Sequence, residues 1–315
     1  MNFRTEIILT GNNLKIEHDH KIVTIGSCFA ENIAEQFKYY LFNVFENPFG
    51  VLYNPASICN ALKITEEEKQ FSKDDLIIDQ GEWHSFYHHS DFSHHNPGEC
   101  LTRINTRTIE VKKFLSGTDR VIISLGTSYI YRHKEKDIIV SNCHKIPADR
   151  FERILLSPEE SGKYLTSIIY ILKKLNPNAK IIFTASPIRH IKDGFAENQL
   201  SKSSLIVAVH NVIKKNENCF YFPSYEIMMD DLRDYRFYEK DMLHPNKIAI
   251  EYIWEKFSDS CFSKNCKDTV KDIEPYVRGI RHRPKDENSP QNLIFKDSLK
   301  KLKEDLLVKY PHLNI

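Results

Sequence analysis

The chain has 315 residues, a length that allows one main α/β domain with an appended segment. Hydrophobic residues make up 41% of it and charged residues 28%, which is typical of a soluble protein with a sizeable core and excludes extensive disorder. The net charge of +1, from 44 basic and 43 acidic residues, excludes a strong overall field that would attract nucleic acid or a membrane surface.

Neither a signal peptide nor a membrane-spanning segment is indicated, because no apolar run is long enough for either. We therefore expect a soluble, cytoplasmic protein without a nucleic-acid or membrane partner. The seven cysteines are odd in number and form no C-x-x-C pair, which argues against a disulfide framework and a thiolate zinc site. No cofactor is predicted, and the oligomeric state stays open.

Apolar runs and amphipathic patterns alternate along the chain. In chain order they predict a strand at 21–25, a helix at 30–40, a helix at 106–115, a strand at 120–125, a helix at 158–175, a strand at 180–184, a helix at 198–215, a strand at 219–222 and a helix at 245–257. Ser157 is the expected N-cap of the helix that Pro158 opens. Strands that alternate with helices favour a parallel sheet with right-handed crossovers.

Two segments depart from this alternation. Residues 65–97 are polar and aromatic with weak periodicity, so we expect a polar insertion or lid at about 65–100 within a main domain of residues 1–262. Residues 263–315 are charge-rich from 278 to 285 and amphipathic from 292 to 309. They predict a charged helical appendage, packed on the main domain or on a second subunit.

Cys28 follows the first strand run directly and begins a helix, in the turn Gly26-Ser27-Cys28. This position is the carboxyl edge of the sheet, where such folds bind ligands. Helix-start amides would lower the pKa of a thiol below its usual value of about 8.5 and make it a nucleophile. The alternatives are a buried structural cysteine, or Ser27 as the nucleophile in its place.

Asp241 and His244 lie three residues apart in a loop before the last core helix. This spacing allows the Asp241 carboxylate to accept a hydrogen bond from one ring nitrogen of His244. That bond fixes the tautomer of the imidazole, while the other ring nitrogen faces a nucleophile. A solvated loop or a helix cap would produce the same pattern. The pair is therefore a candidate base only in combination with Cys28.

Further motifs lie between about residues 20 and 260. They are 26–30 (Gly-Ser-Cys-Phe-Ala), 47–50 (Asn-Pro-Phe-Gly), 125–127 (Leu-Gly-Thr), 142–145 (Asn-Cys-His-Lys), 186–190 (Ser-Pro-Ile-Arg-His) and 232–238 (Leu-Arg-Asp-Tyr-Arg-Phe-Tyr). Together with the Asp-x-x-His pair, they resemble the SGNH (GDSL-type) hydrolases and their GSCFA relatives. The resemblance implies a three-layer α/β sandwich with a central parallel sheet, SGNH-hydrolase-like or flavodoxin-like.

The resemblance also implies an activity: an esterase or acyltransferase for acyl esters of a carbohydrate or a similar small hydroxylated substrate. Cys28 occupies the place of the hydrolase serine and would attack the ester carbonyl to form a thioester. His244 would accept the thiol proton, and Asp241 would orient the ring. Water or a sugar hydroxyl could then take the acyl group, so hydrolysis and transfer both stay open.

The oxyanion hole implied by the resemblance departs from the family pattern. Gly50 matches an oxyanion-hole glycine, whose N–H would act with that of Cys28. Ser27 stands where an aspartate normally precedes the nucleophile, and Ser128 stands where the hydrolases carry an asparagine. Asn142 is the candidate replacement donor, because it too follows a strand-like segment. The missing asparagine motivates an alternative function, a non-catalytic carbohydrate-binding module that keeps the crevice.

Candidate substrate-binding residues are Ser27, Gly126, Arg189 and His190. Arg189 and His190 follow the third strand at the same sheet edge and could bind a carboxylate, a phosphate or a sugar hydroxyl. The alternative for these two is a surface salt bridge and a loop histidine.

Two polar clusters have less specific patterns. The loop Arg233, Asp234, Tyr235 and Arg236 could line a carbohydrate site, but internal ion pairs are the favoured interpretation. Five histidines crowd the insertion: His84, His88, His89, His94 and His95. A metal site is not predicted there, because the segment lacks a carboxylate-rich pattern and a rigid scaffold. A polar lid or a surface loop is favoured.

Overall fold

The structure is a computed structural model that describes residues 5–9, 14–284, 286–287 and 289–315. Its strands are β1 (Lys21–Gly26), β2 (Asn43–Glu46), β3 (Ile77–Asp79), β4 (Glu82–His84), β5 (Arg120–Leu125), β6 (Tyr129–His133), β7 (Ile138–Val140), β8 (Phe151–Leu155), β9 (Lys180–Ala185) and β10 (Cys219–Tyr221). Every residue of β5 is buried, and β1 and β9 are buried except at their first residues. Such continuous burial is typical of central strands covered on both faces.

The central sheet contains five parallel strands in the order β10-β9-β5-β1-β2. Numbered by their appearance in the chain, these strands run 2-1-3-4-5 across the sheet, which is the flavodoxin-like order. The strand order therefore reverses between β1 and β5, where Gly26 pairs with Ser124. The predicted fold class, a three-layer α/β sandwich around a parallel sheet, is confirmed.

Helices cover both faces of this sheet. They are α1 (Cys28–Tyr39), α2 (Pro55–Glu66), α3 (Pro97–Leu115), α4 (Pro158–Leu175), α5 (Phe195–Ile213), α6 (Ser224–Glu226), α7 (Lys247–Cys261), α8 (Lys264–Ile280) and α9 (Pro290–Lys309). The predicted cap of α4 is confirmed: Ser157 Oγ accepts a hydrogen bond from the Glu160 amide, and the Glu160 carboxylate accepts one from the Ser157 amide.

The two faces bury separate cores, because successive strand residues point to opposite sides of a sheet. Ile123 of β5 packs in one cluster with Leu165 of α4. Its neighbour Ile122 packs in the other cluster with Phe29 of α1 and Phe257 of α7. Helices α1 and α7 therefore lie on the same face, and each begins at the carboxyl edge of the sheet.

Several elements of the main domain were not predicted, or begin at another residue than predicted. The edge strand β2 is short and only half-buried, so it lacks the continuous apolar run of a central strand. Helix α2 begins at an Asn54 cap, and α3 begins at an Asn96 cap, well before the predicted start at residue 106. Strands β6, β7 and β8 form a separate antiparallel sheet in the order β7-β6-β8.

The polar insertion folds on a small core of its own. Strands β3 and β4 form a hairpin, and Phe71, Phe92 and Ile104 share one buried cluster beside it. Because Ile104 belongs to α3, this cluster attaches the insertion to the main domain.

At the other end of the chain, α8 and α9 pack against each other. Cys266 of α8 lies in the same core cluster as Phe262, so the predicted boundary at residue 262 is not marked by a separation of cores and stays a prediction. Lys285, at the end of the predicted charge-rich segment, lies outside the described residues. Within the described ranges, no helix has the length and apolar character needed to span a bilayer.

Candidate active site

Gly26 permits the turn that places Cys28 at the sheet edge. Its φ is +137°, and a Cβ at this position would lie 2.0 Å from the Ser124 carbonyl oxygen of the neighbouring strand. The following amide, that of Ser27, donates a 3.0 Å hydrogen bond to the same oxygen. Only glycine fits such a close backbone approach, so α1 begins at Cys28, directly beside the switch point between β1 and β5.

Ser27 lies inside the protein and does not reach the crevice. It is 0% exposed and caps α1, accepting a 3.3 Å hydrogen bond from the Phe29 amide. Its Oγ also lies 2.9 Å from Ser124 Oγ, within hydrogen-bond distance. Burial and these contacts favour a structural role for Ser27, and its predicted role in substrate binding and its alternative role as nucleophile stay predictions.

The Cys28 thiol is half-buried and lies 3.8 Å from the Tyr53 hydroxyl, within hydrogen-bond range for sulfur. Burial raises the pKa of this thiol, and the hydrogen bond from Tyr53 opposes the rise without cancelling it. The expectation of a pKa lowered by the helix start is therefore wrong in direction, because desolvation of the thiolate outweighs the stabilising donors. A reaction at Cys28 needs a base that removes the thiol proton.

Asp241 and His244 form the pair that the spacing predicted. His244 Nδ1 lies 2.6 Å from one carboxylate oxygen of Asp241, and the other oxygen accepts hydrogen bonds from the amides of His244 (3.0 Å) and Leu243 (2.8 Å). These donors, the His244 amide first, lower the pKa of Asp241 to about 2. The carboxylate accepts the Nδ1 proton, which leaves the lone pair on Nε2; among the described residues, no hydrogen bond engages that nitrogen.

Arg189 supports the loop that carries this pair. Its backbone amide donates to the Leu243 carbonyl at 3.4 Å, and its guanidinium donates to the Met242 carbonyl. The guanidinium also lies over the rings of Tyr238, at 4.2 Å from the centroid, and Tyr235, at 5.2 Å. Arg189 is thus a brace for the His244 loop in this structure, and its predicted contact with substrate stays a prediction.

His190 lies deeper, between the His244 loop and the β5 edge. Its amide donates to Asn198 Oδ1 at 2.9 Å, while its Nε2 is buried without a hydrogen-bond partner among the described residues. Burial, together with the nearby charges of Lys202 and His244, lowers the pKa of His190 to about 3. The ring is therefore neutral at physiological pH and can accept or donate only as an uncharged group.

Lys202 of α5 is a buried amine that the sequence did not single out. It is 1% exposed, and its ammonium donates a 2.7 Å hydrogen bond to the Ser186 carbonyl, just after β9. Burial lowers its pKa to about 7. Its position on the buried side of a helix gives no pattern that distinguishes it from a surface lysine, which explains why it was missed.

Tyr53 was also missed, although it connects the other residues of the site. Its carbonyl accepts hydrogen bonds from the amides of Gly126 (2.7 Å) and Thr127 (3.0 Å). Its ring packs edge-on against His190, with centroids 5.5 Å apart, and its hydroxyl faces Cys28. The signal in the sequence was its place directly before Asn54, the cap of a helix that begins at the same sheet edge.

The predicted oxyanion donors bind other acceptors in this structure. The Gly50 amide donates to the Asn47 carbonyl at 2.7 Å, and the Asn142 side-chain amide donates to Ser90 Oγ at 3.1 Å. Ser128 is 0% exposed and bonds to Ser201. The structure therefore does not support Gly50 and Asn142 as donors, whereas the Cys28 amide, at the first helical position, has no acceptor within its helix.

Two histidines of the insertion, His84 and His88, pack against other rings inside the protein. His84 stacks on His144 with ring centroids 4.6 Å apart, and His88 packs edge-on against Phe71. Burial lowers the pKa of His88 to about 3 and that of His144 to about 4. In the part of the chain that the structure describes, no three His, Cys, Asp or Glu side chains form a group that could hold a metal ion.

The polar loop before the pair is held by its own contacts. The Arg236 guanidinium donates to the Asp234 carboxylate at 2.8 Å, and the Arg236 amide donates to the same side chain. This agrees with the favoured interpretation of internal ion pairing.

A groove of about 1170 Å³ lies elsewhere, between α1, α7 and α8. Asn32, Tyr39 and Trp254 line it, whereas Cys28 and His244 do not. We therefore place the candidate chemistry at the sheet edge and not in this larger groove.

Comparison with known proteins gives a family and distant structural likenesses. No curated protein sequence matches the chain. Among solved structures, a family 3 carbohydrate esterase from Clostridium thermocellum is similar over 81% of this chain and 98% of that one, at 10% sequence identity. The TM-score is 0.35, and a score this low supports no argument about this chain. The model of the GSCFA family matches residues 21–257, from the first residue of β1 into α7. The chain therefore belongs to the GSCFA family.

Proposed function

We propose that the protein is a cysteine-dependent esterase or acyltransferase that acts on acyl esters of a carbohydrate or a similar hydroxylated compound. The observation that carries the proposal is a half-buried thiol at the start of α1 together with a carboxylate-oriented imidazole at the same edge of the sheet. Tyr53 contacts both Cys28 and His190, and the charge of His244 acts on His190. These contacts link Cys28 to His244 through Tyr53 and His190, which supports a shared site for the thiol and the imidazole.

In the proposed reaction, His244 Nε2 removes the Cys28 proton as the sulfur attacks the ester carbonyl carbon. The carbon–sulfur bond forms and the carbonyl π electrons move to oxygen. When the carbonyl re-forms, the carbon–alkoxide bond breaks and the alkoxide takes the proton from His244, which leaves a thioester on Cys28. Water or an acceptor hydroxyl then attacks the thioester carbonyl and gives its proton to His244. The carbon–sulfur bond breaks, the acid or the new ester leaves, and the Cys28 sulfur takes the proton back from His244.

The raised pKa of the Cys28 thiol makes His244 essential to this scheme. Since burial keeps the sulfur protonated in the resting protein, attack and proton transfer must be coupled. Asp241 supports the imidazole in the charged form that arises during the step, and its lowered pKa keeps it ionised at the pH of the reaction.

The alcohol part of the substrate follows from the resemblance to SGNH hydrolases and from the surface beside Arg189. Phe195 and Tyr235 flank the Arg189 guanidinium and expose 56% and 60% of their surface. Flat, exposed aromatic rings beside a cationic donor suit a sugar or another ring with several hydroxyl groups.

The direct test compares two half-buried cysteines. Cys28→Ala is expected to abolish turnover of short acyl esters of 4-nitrophenol, because it removes the proposed nucleophile. Cys143→Ala, which removes the other half-buried thiol, should keep full turnover. Full activity of Cys28→Ala would overturn the nucleophile assignment.

A non-catalytic carbohydrate-binding module is the second candidate. The engaged Gly50 and Asn142 amides favour it, because they leave fewer donors for an oxyanion. Binding of oligosaccharide that is equal in wild type and Cys28→Ala, without any acylated protein in intact-mass spectra of the wild type, is the result expected for such a module. An acyl group on Cys28 would exclude it.

A further inference from the structure

We propose that the Tyr53 hydroxyl is an oxyanion donor in the esterase reaction, an inference that rests on the proposed function. Tyr53 Oη lies 3.8 Å from Cys28 Sγ, and 37% of the Tyr53 surface is exposed. The donors expected from the sequence, Gly50 and Asn142, point to other acceptors. A hydroxyl beside the nucleophile can supply the hydrogen bond that they do not.

The backbone of Tyr53 is fixed from both sides. The preceding amide, that of Leu52, donates to the Gly26 carbonyl at 2.9 Å, which ties the segment to the turn before Cys28. The Tyr53 carbonyl accepts from the amides of Gly126 and Thr127, which ties it to the end of β5. The segment therefore crosses the switch point between β1 and β5, where ligands bind in folds of this order.

The ring of Tyr53 is fixed as well. A Cβ on Gly126 would lie 3.1 Å from Tyr53 Cδ1 and 3.1 Å from His190 Nε2, so the ring and the imidazole pack directly on the glycine. The edge-on contact with His190 holds the other side of the ring. A donor held in this way needs little reorganisation during the reaction, which is what makes oxyanion donors effective.

The chemistry of the hydroxyl suits the role. Burial, with the nearby Cys28 sulfur, raises the pKa of Tyr53 above its usual range, so the hydroxyl keeps its proton at neutral pH. An effective donor lies about 2.7–3.1 Å from the oxyanion. The Tyr53 hydroxyl lies 3.8 Å from Cys28 Sγ. When the carbonyl carbon of the ester is bonded to this sulfur, the carbonyl oxygen can therefore lie within hydrogen-bond distance of the hydroxyl.

In the step itself, the Tyr53 O–H donates to the carbonyl oxygen as the carbon–sulfur bond forms and negative charge gathers on that oxygen. No proton leaves Tyr53. When the carbonyl re-forms and the alkoxide departs with the proton from His244, the hydrogen bond returns to its weaker, neutral form. The Cys28 amide, which lies at the first position of α1 and hydrogen-bonds its own sulfur, would be the second donor to the same oxygen.

Tyr53→Phe tests this role, because it keeps the ring between Gly126 and His190 and removes only the hydroxyl. We expect kcat for 4-nitrophenyl esters to fall about 100-fold with KM little changed, the effect typical of one lost oxyanion donor. Alkylation of Cys28 by iodoacetamide forms no oxyanion, so its limiting rate at high pH should be unchanged. Its pH profile should move to higher pH, because the thiol loses the hydrogen bond from Tyr53 that lowers its pKa. Tyr164→Phe, a half-buried tyrosine of α4, is the matched control and should change neither rate.

Two outcomes would overturn the inference. Wild-type turnover of Tyr53→Phe would show that the hydroxyl is not used. A fall of turnover that is no larger than the fall of alkylation at the same pH would show that the hydroxyl acts on the thiol and not on the oxyanion. Failure of the proposed function is a separate result: Cys28→Ala would then keep full turnover. Loss of turnover in Cys28→Ala together with wild-type kcat in Tyr53→Phe rejects the Tyr53 role alone.

Discussion

Replacement of Gly126 by alanine tests whether the packing around Tyr53 matters for activity. Gly126 lies after β5, and its amide bonds to the Tyr53 carbonyl. A Cβ there would lie 3.1 Å from His190 Nε2, 3.1 Å from Tyr53 Cδ1 and 3.2 Å from the Tyr53 carbonyl oxygen. All three contacts are shorter than the optimum of about 3.5–4.0 Å between non-bonded carbon atoms.

Relief of these contacts requires Tyr53 and His190 to move by about half an ångström. Overpacking of this kind lowers the free energy of unfolding by about 1–3 kcal/mol. The smaller conformational freedom of alanine in the unfolded chain raises it by about 0.4–1 kcal/mol. We therefore expect Gly126→Ala to lower the free energy of unfolding by about 1–2 kcal/mol. Because misplacement of a positioned group lowers the rate, kcat should fall by about tenfold or more.

The assay combines urea unfolding with turnover of a 4-nitrophenyl ester. Gly162→Ala of α4 is the control, because a Cβ there would meet Val212 Cγ2 at an ordinary 3.9 Å. It should stabilise the protein by about 0.5–1 kcal/mol, since alanine favours a helix interior over glycine, and leave kcat unchanged. Wild-type stability and kcat in Gly126→Ala would refute the packing argument.

Three further predictions concern charged groups. Asp241→Asn keeps an acceptor for the His244 amide but loses the charge that orients the ring. Turnover should therefore fall by about 10²- to 10⁴-fold, while the free energy of unfolding in urea changes little. Wild-type turnover of this variant would contradict the role of Asp241. His88 has a pKa of about 3 in the folded protein and about 6.5 in the unfolded chain, so the unfolded chain binds the extra proton. The free energy of unfolding therefore decreases as the pH is lowered below about 6.5. In urea titrations, lowering the pH from about 7 to about 5 should cost His88→Gln about 2 kcal/mol less of this free energy than it costs the wild type. Lys202 has a pKa of about 7 in the folded protein and about 10.5 in the unfolded chain, so the free energy of unfolding increases with pH between these two values. Lys202→Met should reduce the slope of this increase by up to about 1.4 kcal/mol per pH unit. An unchanged slope would show that the amine is not desolvated.

Continuous burial made the centre of the fold predictable. The runs that became β1, β5 and β9 are apolar at nearly every position, because both faces of these strands are covered. Strand β2, with the sequence Asn-Val-Phe-Glu, is an edge strand that buries less, so its residues give no such run. The sequence therefore predicted the central strands and the other edge strand, β10, but not β2.

The site was predictable where the chemistry depends on side chains close in sequence. Asp241 and His244 meet because the loop between them is short. The hydrogen bond from the Gly50 amide to the Asn47 carbonyl depends instead on a turn in which Asn47 has a positive φ. The sequence does not reveal this turn. The contact of Tyr53 with Cys28 depends on how the segment after β2 crosses the sheet, and that path is set by hydrogen bonds to Gly26 and to the end of β5.

The central claim is that Cys28 carries the acyl group during the reaction. Rapid quenching of the protein with a 4-nitrophenyl acyl ester, followed by peptide mass spectrometry, tests it most directly. We predict one acyl group, labile to hydroxylamine as a thioester is, on the peptide that contains Cys28, absent in Cys28→Ala and formed far more slowly in His244→Gln. Turnover with the acyl group on another residue, or with no acylated protein, would contradict the claim.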